Sequence, residues 1–294
     1  MYRNDDMEQE NQDSTAKGNT EYAHAEYAGT NDVGRLQEAK APLVSVVMPA
    51  YNCAATVAES IRSVLSQTCK DFELLIIDDC SADDTRRICE SFAAGDDRLY
   101  IYTNDANRGV AFSRNLGIQK ARGQWVAFID SDDLWDAHKL ELQLTMIRDT
   151  GAAVSYTASR FIGSDGSEYG YTLRAKKEMR YAELLRRNLL SCSSVVVRRD
   201  LMLRHLFPEG LLHEDYVSWL SILREDDVAV AYGLDLPLLT YRVSKSSRSG
   251  HRVRSGLMTY KAYRVVGYGP VTAAALTLRY AVHSISKRYL LYKS

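Results

Sequence analysis

Trp125–Trp135 reads W-V-A-F-I-D-S-D-D-L-W: a five-residue apolar run, Trp125–Ile129, followed at once by Asp130, Ser131, Asp132 and Asp133. A short apolar run bounded by polar residues predicts a strand buried on both faces. The same pattern recurs upstream. Val44–Met48 is an apolar run closed by Pro49, with Tyr51 and Asn52 after it, and Phe72–Ile77 ends in Asp78–Asp79. Leu99–Thr103 reads as a third strand. Between these runs, Val57, Ile61, Val64 and Leu65 recur at i, i+4, i+7 and i+8, which predicts a helix over Thr56–Gln67. Asp83–Phe92 and Val110–Ala121 read as two more helices. Strands alternating with helices predict an α/β, Rossmann-like fold whose mostly parallel sheet is covered on both faces. Ligands of such sheets bind beyond the carboxyl ends of the strands, where both acidic clusters fall.

The second half is less regular. Val154–Phe161, Ser194–Val197 and Leu238–Arg242 read as strands, and Tyr181–Leu190 and Asp215–Leu223 as helices. Residues 255–292 read as helical with a break at Gly267–Pro270.

Composition bounds the class. The 294 residues are 46% hydrophobic and 26% charged, which excludes a wholly disordered, collagen-like or multi-span membrane protein. The net charge of −1 hides an asymmetry. Residues 1–40 hold nine acids and four bases with few Leu, Ile or Val, and read as a disordered acidic tail. From Leu236 to Ser294 there are eleven Lys or Arg and no acid, so that end favours an anionic partner, a membrane surface or a phosphate-bearing ligand. Leu278, Val282, Ile285, Tyr289 and Tyr292 form one helical stripe there, with basic residues around it. Five cysteines without a C-x-x-C pair fit reduced thiols in the cytoplasm. No run reaches the roughly 18 apolar residues of a spanning helix, and M-Y-R-N-D-D-M-E-Q-E-N-Q is no targeting sequence. No nucleic-acid recognition motif accompanies the bases.

The acids point to a chemistry. Asp130 and Asp132 flank Ser131 and can converge on a hard cation, Mg²⁺ or Mn²⁺, which would neutralise a departing diphosphate. The competing reading is that Asp133 or Asp136 caps a helix starting near Asp136. The Asp78–Asp79 pair can accept from a base N–H or a ribose hydroxyl; a turn with Asp83 or Asp84 capping the next helix is its competitor. No G-x-G-x-x-G or G-x-x-x-x-G-K-[ST] occurs, so phosphates would be held by metal and cationic side chains. Arg114 is the candidate, a surface ion pair being its alternative. Histidines lack zinc spacing, and no G-x-S-x-G elbow exists.

V-S-V-V-M-P-A-Y-N, I-I-D-D-C-S-A-D-D-T, N-R-G-V-A-F-S-R-N-L-G-I and F-I-D-S-D-D-L-W occur in that order. Together they resemble the nucleotide-binding half of an inverting family 2 glycosyltransferase of GT-A fold, densely over 43–140 and loosely to about 245. The later S-C-S-S-V-V-V-R-R, H-E-D-Y-V-S-W-L-S-I-L and Y-R-V-S-K-S-S-R-S resemble the TuaG-like enzymes of teichuronic acid and related bacterial surface polysaccharides. The resemblance implies that Pro49, Ala50, Tyr51 and Asn52 line the nucleoside pocket. It implies that Asp79 binds uracil with Asp78 in support, and that Arg114 approaches the donor phosphates. Asp130, Ser131 and Asp132 match the D-x-D element, with Asp132 the leading metal ligand and Asp130 the second. Glu214–Asp215 matches the acidic pair in which Asp215 is the base. Tyr241, Arg242 and Ser246 would belong to a flexible segment closing over the donor.

The implied reaction moves a sugar from a UDP-sugar to a hydroxyl of a glycan, in many such enzymes lipid-linked, at the inner leaflet. The implied division is a tail over 1–40, a GT-A domain over 41–245 and a basic helical extension over 246–294. Two alternatives stand beside it. A nucleotidyltransferase would want a Gly-rich loop with Lys or Arg after the first strand, which M-P-A-Y-N-C-A-A-T lacks. A non-catalytic membrane-surface protein would be favoured by loss of Asp132 or Asp215, and both are present.

Overall fold

The computed structural model describes residues 40–243 and 252–291. The expected tail over 1–39, Ser246 and Tyr292 lie outside the described residues. The first half alternates as its sequence predicts: β1 (Val44–Ala50), α1 (Val57–Leu65), β2 (Phe72–Asp78), α2 (Thr85–Ala93), β3 (Leu99–Thr103), α3 (Val110–Lys120) and β4 (Trp125–Phe128). β3, β2, β1 and β4 lie side by side and parallel. Every residue of β1, β2 and β4 is buried, so these strands read as continuous apolar runs.

Two apolar layers sandwich the sheet. Val46, Met48, Leu74, Ile76 and Ala127 pack on one side with Val57, Ile61 and Val64, the predicted stripe of α1. Val47, Leu75, Val126 and Phe128 face the other side, beneath α3. The approach of α3 is close. A Cβ on Gly117 would stand 2.4 Å from Val47 Cγ1, so only glycine fits there.

The second half extends the sheet through β5 (Leu134–Trp135), α4 (Lys139–Thr150), β6 (Val154–Gly163), β7 (Glu168–Leu173), β8 (Glu178–Arg180), α5 (Tyr181–Leu184), β9 (Val196–Arg198), α6 (Arg199–Arg204), α7 (Glu214–Ile222) and β10 (Val230–Val243). The strand order is β3-β2-β1-β4-β9-β6-β10-β5, with β7 added to β6 and β8 to β10. β9 runs antiparallel to both β4 and β6, while β6 and β10 are parallel. The carboxyl ends of β1, β2, β4, β6 and β10 therefore share one edge.

Several expectations need correction. The helix expected over Tyr181–Leu190 is one turn, α5, because Leu189 and Leu190 are buried in non-helical chain. The strand expected from Ser194 starts at Val196, after a 3₁₀ turn at Cys192–Ser194. β10 is much longer than the expected Leu238–Arg242. Exposed residues at 235–237 and register shifts around Pro237 break its alternation and conceal it. Tyr241 and Arg242 lie within this strand, as the expected Leu238–Arg242 placed them.

The expected break in the carboxyl-terminal helix is present. α8 (Arg252–Val265) ends before Gly267, whose φ of +99° suits glycine, and α9 (Pro270–Leu291) opens on proline. α9 turns Ala273, Leu276 and Tyr280 toward the body of the protein. Of the predicted stripe, Leu278 and Val282 are 70% and 61% exposed and do not pack on the body of the protein. Among the described residues no helix is long and apolar enough to cross a membrane.

Candidate active site

The loops after β1 and β2 are laced together. Asn52 sits at φ +46°, a left-handed conformation that Asn tolerates. Its N–H donates to Ser81 Oγ at 3.0 Å, and its Oδ1 accepts the Ala82 N–H at 2.8 Å. Cys53 N–H donates to Thr85 Oγ1, and Ala54 N–H to Asp83 Oδ2. Asp83 also accepts the N–H of Thr85, the first residue of α2, the capping its competing reading expected. Pro49 and Ala50 are buried in β1, while Tyr51 and Asn52 after them are exposed.

Asp78 ends β2, and its Oδ1 accepts the Ser81 N–H at 3.3 Å. Asp79 is buried and organises the chain before α3. Its Oδ1 accepts from Asn104 Nδ2 at 2.7 Å and Arg108 N–H at 2.9 Å, and its Oδ2 from Gly109 N–H at 2.7 Å. A carboxylate has about four acceptor positions, so one remains for a ligand.

The acidic loop after β4 folds back on itself, the Asp133 N–H donating to the Asp130 carbonyl at 3.0 Å. Arg114, for which a surface ion pair was the alternative to the donor phosphates, makes its ion pairs in the interior. It is 2% exposed. Its Nη2 donates to Asp130 Oδ1 at 2.5 Å and its Nη1 to Glu214 Oε1 at 2.9 Å. The guanidinium is held charged: the charges of Asp130, Glu214 and Asp215 outweigh its burial and push it well above the ordinary arginine value. Arg114 thus ties α3, the acidic loop and the first turn of α7 together.

Asp133 is not a helix cap. α4 starts at Lys139, and it is Asp136 whose Oδ1 accepts the His138 N–H just before it. Asp133 is buried, and its Oδ1 accepts the Arg242 N–H at 3.0 Å. Burial first, then the charges of Asp130 and Asp132, push its carboxyl well above the usual range. Arg242 is likewise structural here: its Nε donates to the Asp132 carbonyl at 3.0 Å and its Nη2 to Glu59 at 2.7 Å. The sequence reading missed Ser193. Its Oγ accepts the Asp130 N–H at 3.0 Å, and its carbonyl accepts Trp135 Nε1 at 2.8 Å. The S-C-S-S run was the only signal for it.

Asp215 stands half-exposed in the first turn of α7, where the helix dipole favours a carboxylate, and its Oδ1 accepts the Tyr216 N–H at 2.8 Å. Its chain neighbour Glu214 and Asp130 of the acidic loop are held by the same guanidinium, that of Arg114, which brings the start of α7 to the loop. The Tyr241 hydroxyl is pushed up by burial and then by Asp133, Asp130, Asp132 and Asp215. The buried Cys192 thiol is pushed up by burial and lies within reach of Arg114, Asp130, Asp215 and Glu214. Carboxylates from two distant parts of the chain therefore surround one small volume, at the edge that also carries Asp79. By contrast, a cavity of about 780 Å³ lined by Leu43, Arg122, Gln124 and Arg199 lies at the opposite edge, before β1 and β4.

Among the described residues no three His, Cys, Asp or Glu side chains form a metal-binding set. Half-exposed Asp130 and Asp132 offer hard oxygen donors, with one Asp130 oxygen already on Arg114. One or two carboxylates suit a Mg²⁺-type ion that takes its remaining ligands from phosphates and water.

A mixed α/β sheet, with an acidic loop at its carboxyl edge and a second acidic helix start beside it, is a GT-A-like arrangement. Residues 45–205 match the family described as Glycosyl transferase family 2, and the chain belongs to that family. It is 31% identical over 248 residues to the putative teichuronic acid biosynthesis glycosyltransferase TuaG of Bacillus subtilis, covering 84% of this chain and 98% of that one. It is 34% identical over 253 residues to the UDP-Glc:α-D-GlcNAc-diphosphoundecaprenol β-1,3-glucosyltransferase WfgD of Escherichia coli, covering 86% and 97%. The fold is similar to that of S. aureus TarS 1–349 in complex with UDP-GlcNAc, with a TM-score of 0.64, 20% identity and coverage of 81% and 71%.

The Arg114 bridge has a measurable consequence. Replacing Arg114 by Met strands two carboxylates and is expected to cost about 3–5 kcal/mol in urea unfolding. Adding Glu214→Leu to Arg114→Met should recover part of that loss. A cost below 1 kcal/mol for Arg114→Met would contradict the bridge.

Proposed function

We propose that this glycosyltransferase moves a sugar from a UDP-sugar to a hydroxyl of a lipid-linked glycan, in one inverting displacement, during synthesis of a bacterial surface polysaccharide. The observation that supports it most is the Arg114 bridge, which holds Asp130 of the acidic loop and Glu214, the neighbour of Asp215, on one guanidinium. The UDP-sugar donor and the diphosphoundecaprenol acceptor in the name of WfgD support the substrate class.

In this reading the nucleoside lies over the laced loops after β1 and β2. Tyr51 and the edges of Pro49, Ala50 and Asn52 border it, and the open acceptor position of Asp79 takes the uracil N–H. Asp78 holds the turn beneath. Asp132, with the remaining oxygen of Asp130, would hold Mg²⁺ or Mn²⁺, and Ser131 lies between them. When bound, the ion supplies charge that offsets the diphosphate as it leaves. Arg114 acts from below by positioning Asp130 and Glu214, and Arg242 by fixing the backbone of Asp132. Asp215 takes the proton of the acceptor hydroxyl as that oxygen attacks the anomeric carbon. The hydroxyl and the leaving UDP occupy opposite faces of the sugar, so configuration inverts.

Residues 41–245 form the catalytic domain of this proposal and 246–294 an extension that rests on the cytoplasmic leaflet. Exposed Leu278 and Val282 on an acid-free, basic helix support that contact. The intact protein should float with vesicles containing anionic lipid and not with neutral ones. No flotation would sink the membrane contact, and equal flotation with both would remove the role of the basic residues in it.

A panel of UDP-sugars with Mn²⁺, read by UDP release in the presence of a lipid-diphosphate sugar, tests the chemistry. Asp215→Asn should keep donor binding and lower turnover by about 10²–10⁴-fold. Asp132→Ala should weaken metal-dependent donor binding. Near-full turnover in Asp215→Asn, or unchanged metal dependence in Asp132→Ala, would remove those assignments.

A further inference from the structure

Three neighbouring strands, β7, β6 and β10, each carry an aromatic ring at the same level. Tyr241 on β10 is the register partner of Phe161 on β6. Arg160, beside Phe161, pairs with Thr172, beside Tyr171 on β7. The Phe161 ring lies 5.6 Å from Tyr241 and 5.8 Å from Tyr171 between centroids, at interplanar angles of 54° and 32°. The row spans two strand spacings, about 10 Å. All three residues are half-buried, and nothing in the chemistry above uses Phe161 or Tyr171.

Position gives the row its meaning. Its Tyr241 end adjoins Arg242, whose N–H donates to Asp133 Oδ1 at 3.0 Å and whose Nε donates to the Asp132 carbonyl at 3.0 Å. Phe161 and Tyr171 pack against the apolar cluster that holds Tyr216 and Trp219 of α7, the helix that carries Asp215 in its first turn. The nucleoside loops belong to β1 and β2, on the far side of β4. A base must touch the hydroxyl that it deprotonates, so the acceptor sugar lies on the Asp215 side. A pyranose has an apolar C–H face and a rim of hydroxyls. Aromatic rings beside a few convergent polar groups are the surface that binds such a molecule.

We propose that Phe161, Tyr171 and Tyr241 form the platform on which the acceptor's terminal pyranose stacks, with its reacting hydroxyl turned toward Asp215. The proposal rests on the assignment of Asp215 as the base. It makes Phe161 and Tyr171 determinants of acceptor affinity and leaves the donor site to other residues.

The probe is N-acetylglucosamine diphosphate on a short alkyl chain, titrated calorimetrically into the UDP-saturated protein. Phe161→Leu and Tyr171→Leu should each raise the probe's Kd at least tenfold and change the UDP Kd less than twofold. Tyr171→Phe, which keeps the ring, should bind the probe as the wild-type protein does. Unchanged probe binding in both Leu variants overturns the platform. So does an equal loss of UDP binding, which would make the row part of the donor site, or an absence of probe binding by the wild-type protein. Should Phe161→Leu lower the folded fraction, Tyr171→Leu decides alone, since it is the ring farther along the row from Tyr241. The donor reading fails separately, through absence of UDP release from every UDP-sugar, and that outcome does not enter the titration.

Discussion

Arg114 projects from α3 into a space that water does not reach, and its two terminal nitrogens end on Asp130 and Glu214. Taking a guanidinium and two carboxylates out of water is costly, and the cost is offset only when geometry and hydrogen bonding are good. Here the bridge joins three elements that are far apart in sequence: α3, the loop after β4 and the start of α7. It therefore decides where Asp132 and Asp215, the neighbours of those two carboxylates, stand. Ser193 reinforces the same loop from the 3₁₀ turn, and Arg242 ties it to β10. The loop's backbone is fixed from three directions while the Asp132 side chain stays half-exposed.

The electrostatics of this arrangement lean one way. The buried Arg114 guanidinium bonds Asp130 and Glu214, Arg242 reaches Asp133 and the Asp132 carbonyl, and the Asp133 carboxyl is pushed up by burial and by its acidic neighbours. A pocket with this surplus of carboxylate oxygen favours a cation, and a bound divalent ion would be the largest local charge in it. The same surplus repels a diphosphate that arrives without metal.

Much of this was legible in the sequence, and the reasons differ by region. β1, β2 and β4 are buried on both faces, so apolar runs announce them, and the acids at their ends follow from the edge at which such sheets bind ligands. The stripe of α1 was equally plain. Arg114 was misread because the neighbours of an arginine on α3 are chosen by α7, a hundred residues later. Asp133 looked like a cap because its true partner, the Arg242 N–H, sits in a strand whose alternation is broken by Pro237. Tyr181–Leu190 carried enough apolar residues for a helix, but burial of Leu189 and Leu190 in non-helical chain took precedence over propensity. These misses are tertiary: they depend on which distant element arrives, and no local pattern encodes that.

The central claim is that acids from the β4 loop and from α7 close on one donor-binding volume. A crystal structure of the protein with UDP and Mn²⁺ tests it most directly. The account predicts the ion between Asp132 and the diphosphate, uracil beside Asp79, and the Asp215 carboxylate facing the space beyond the β-phosphate. Nucleotide bound in the cavity at the opposite edge of the sheet, or a Mn²⁺ ion remote from Asp132, would contradict it.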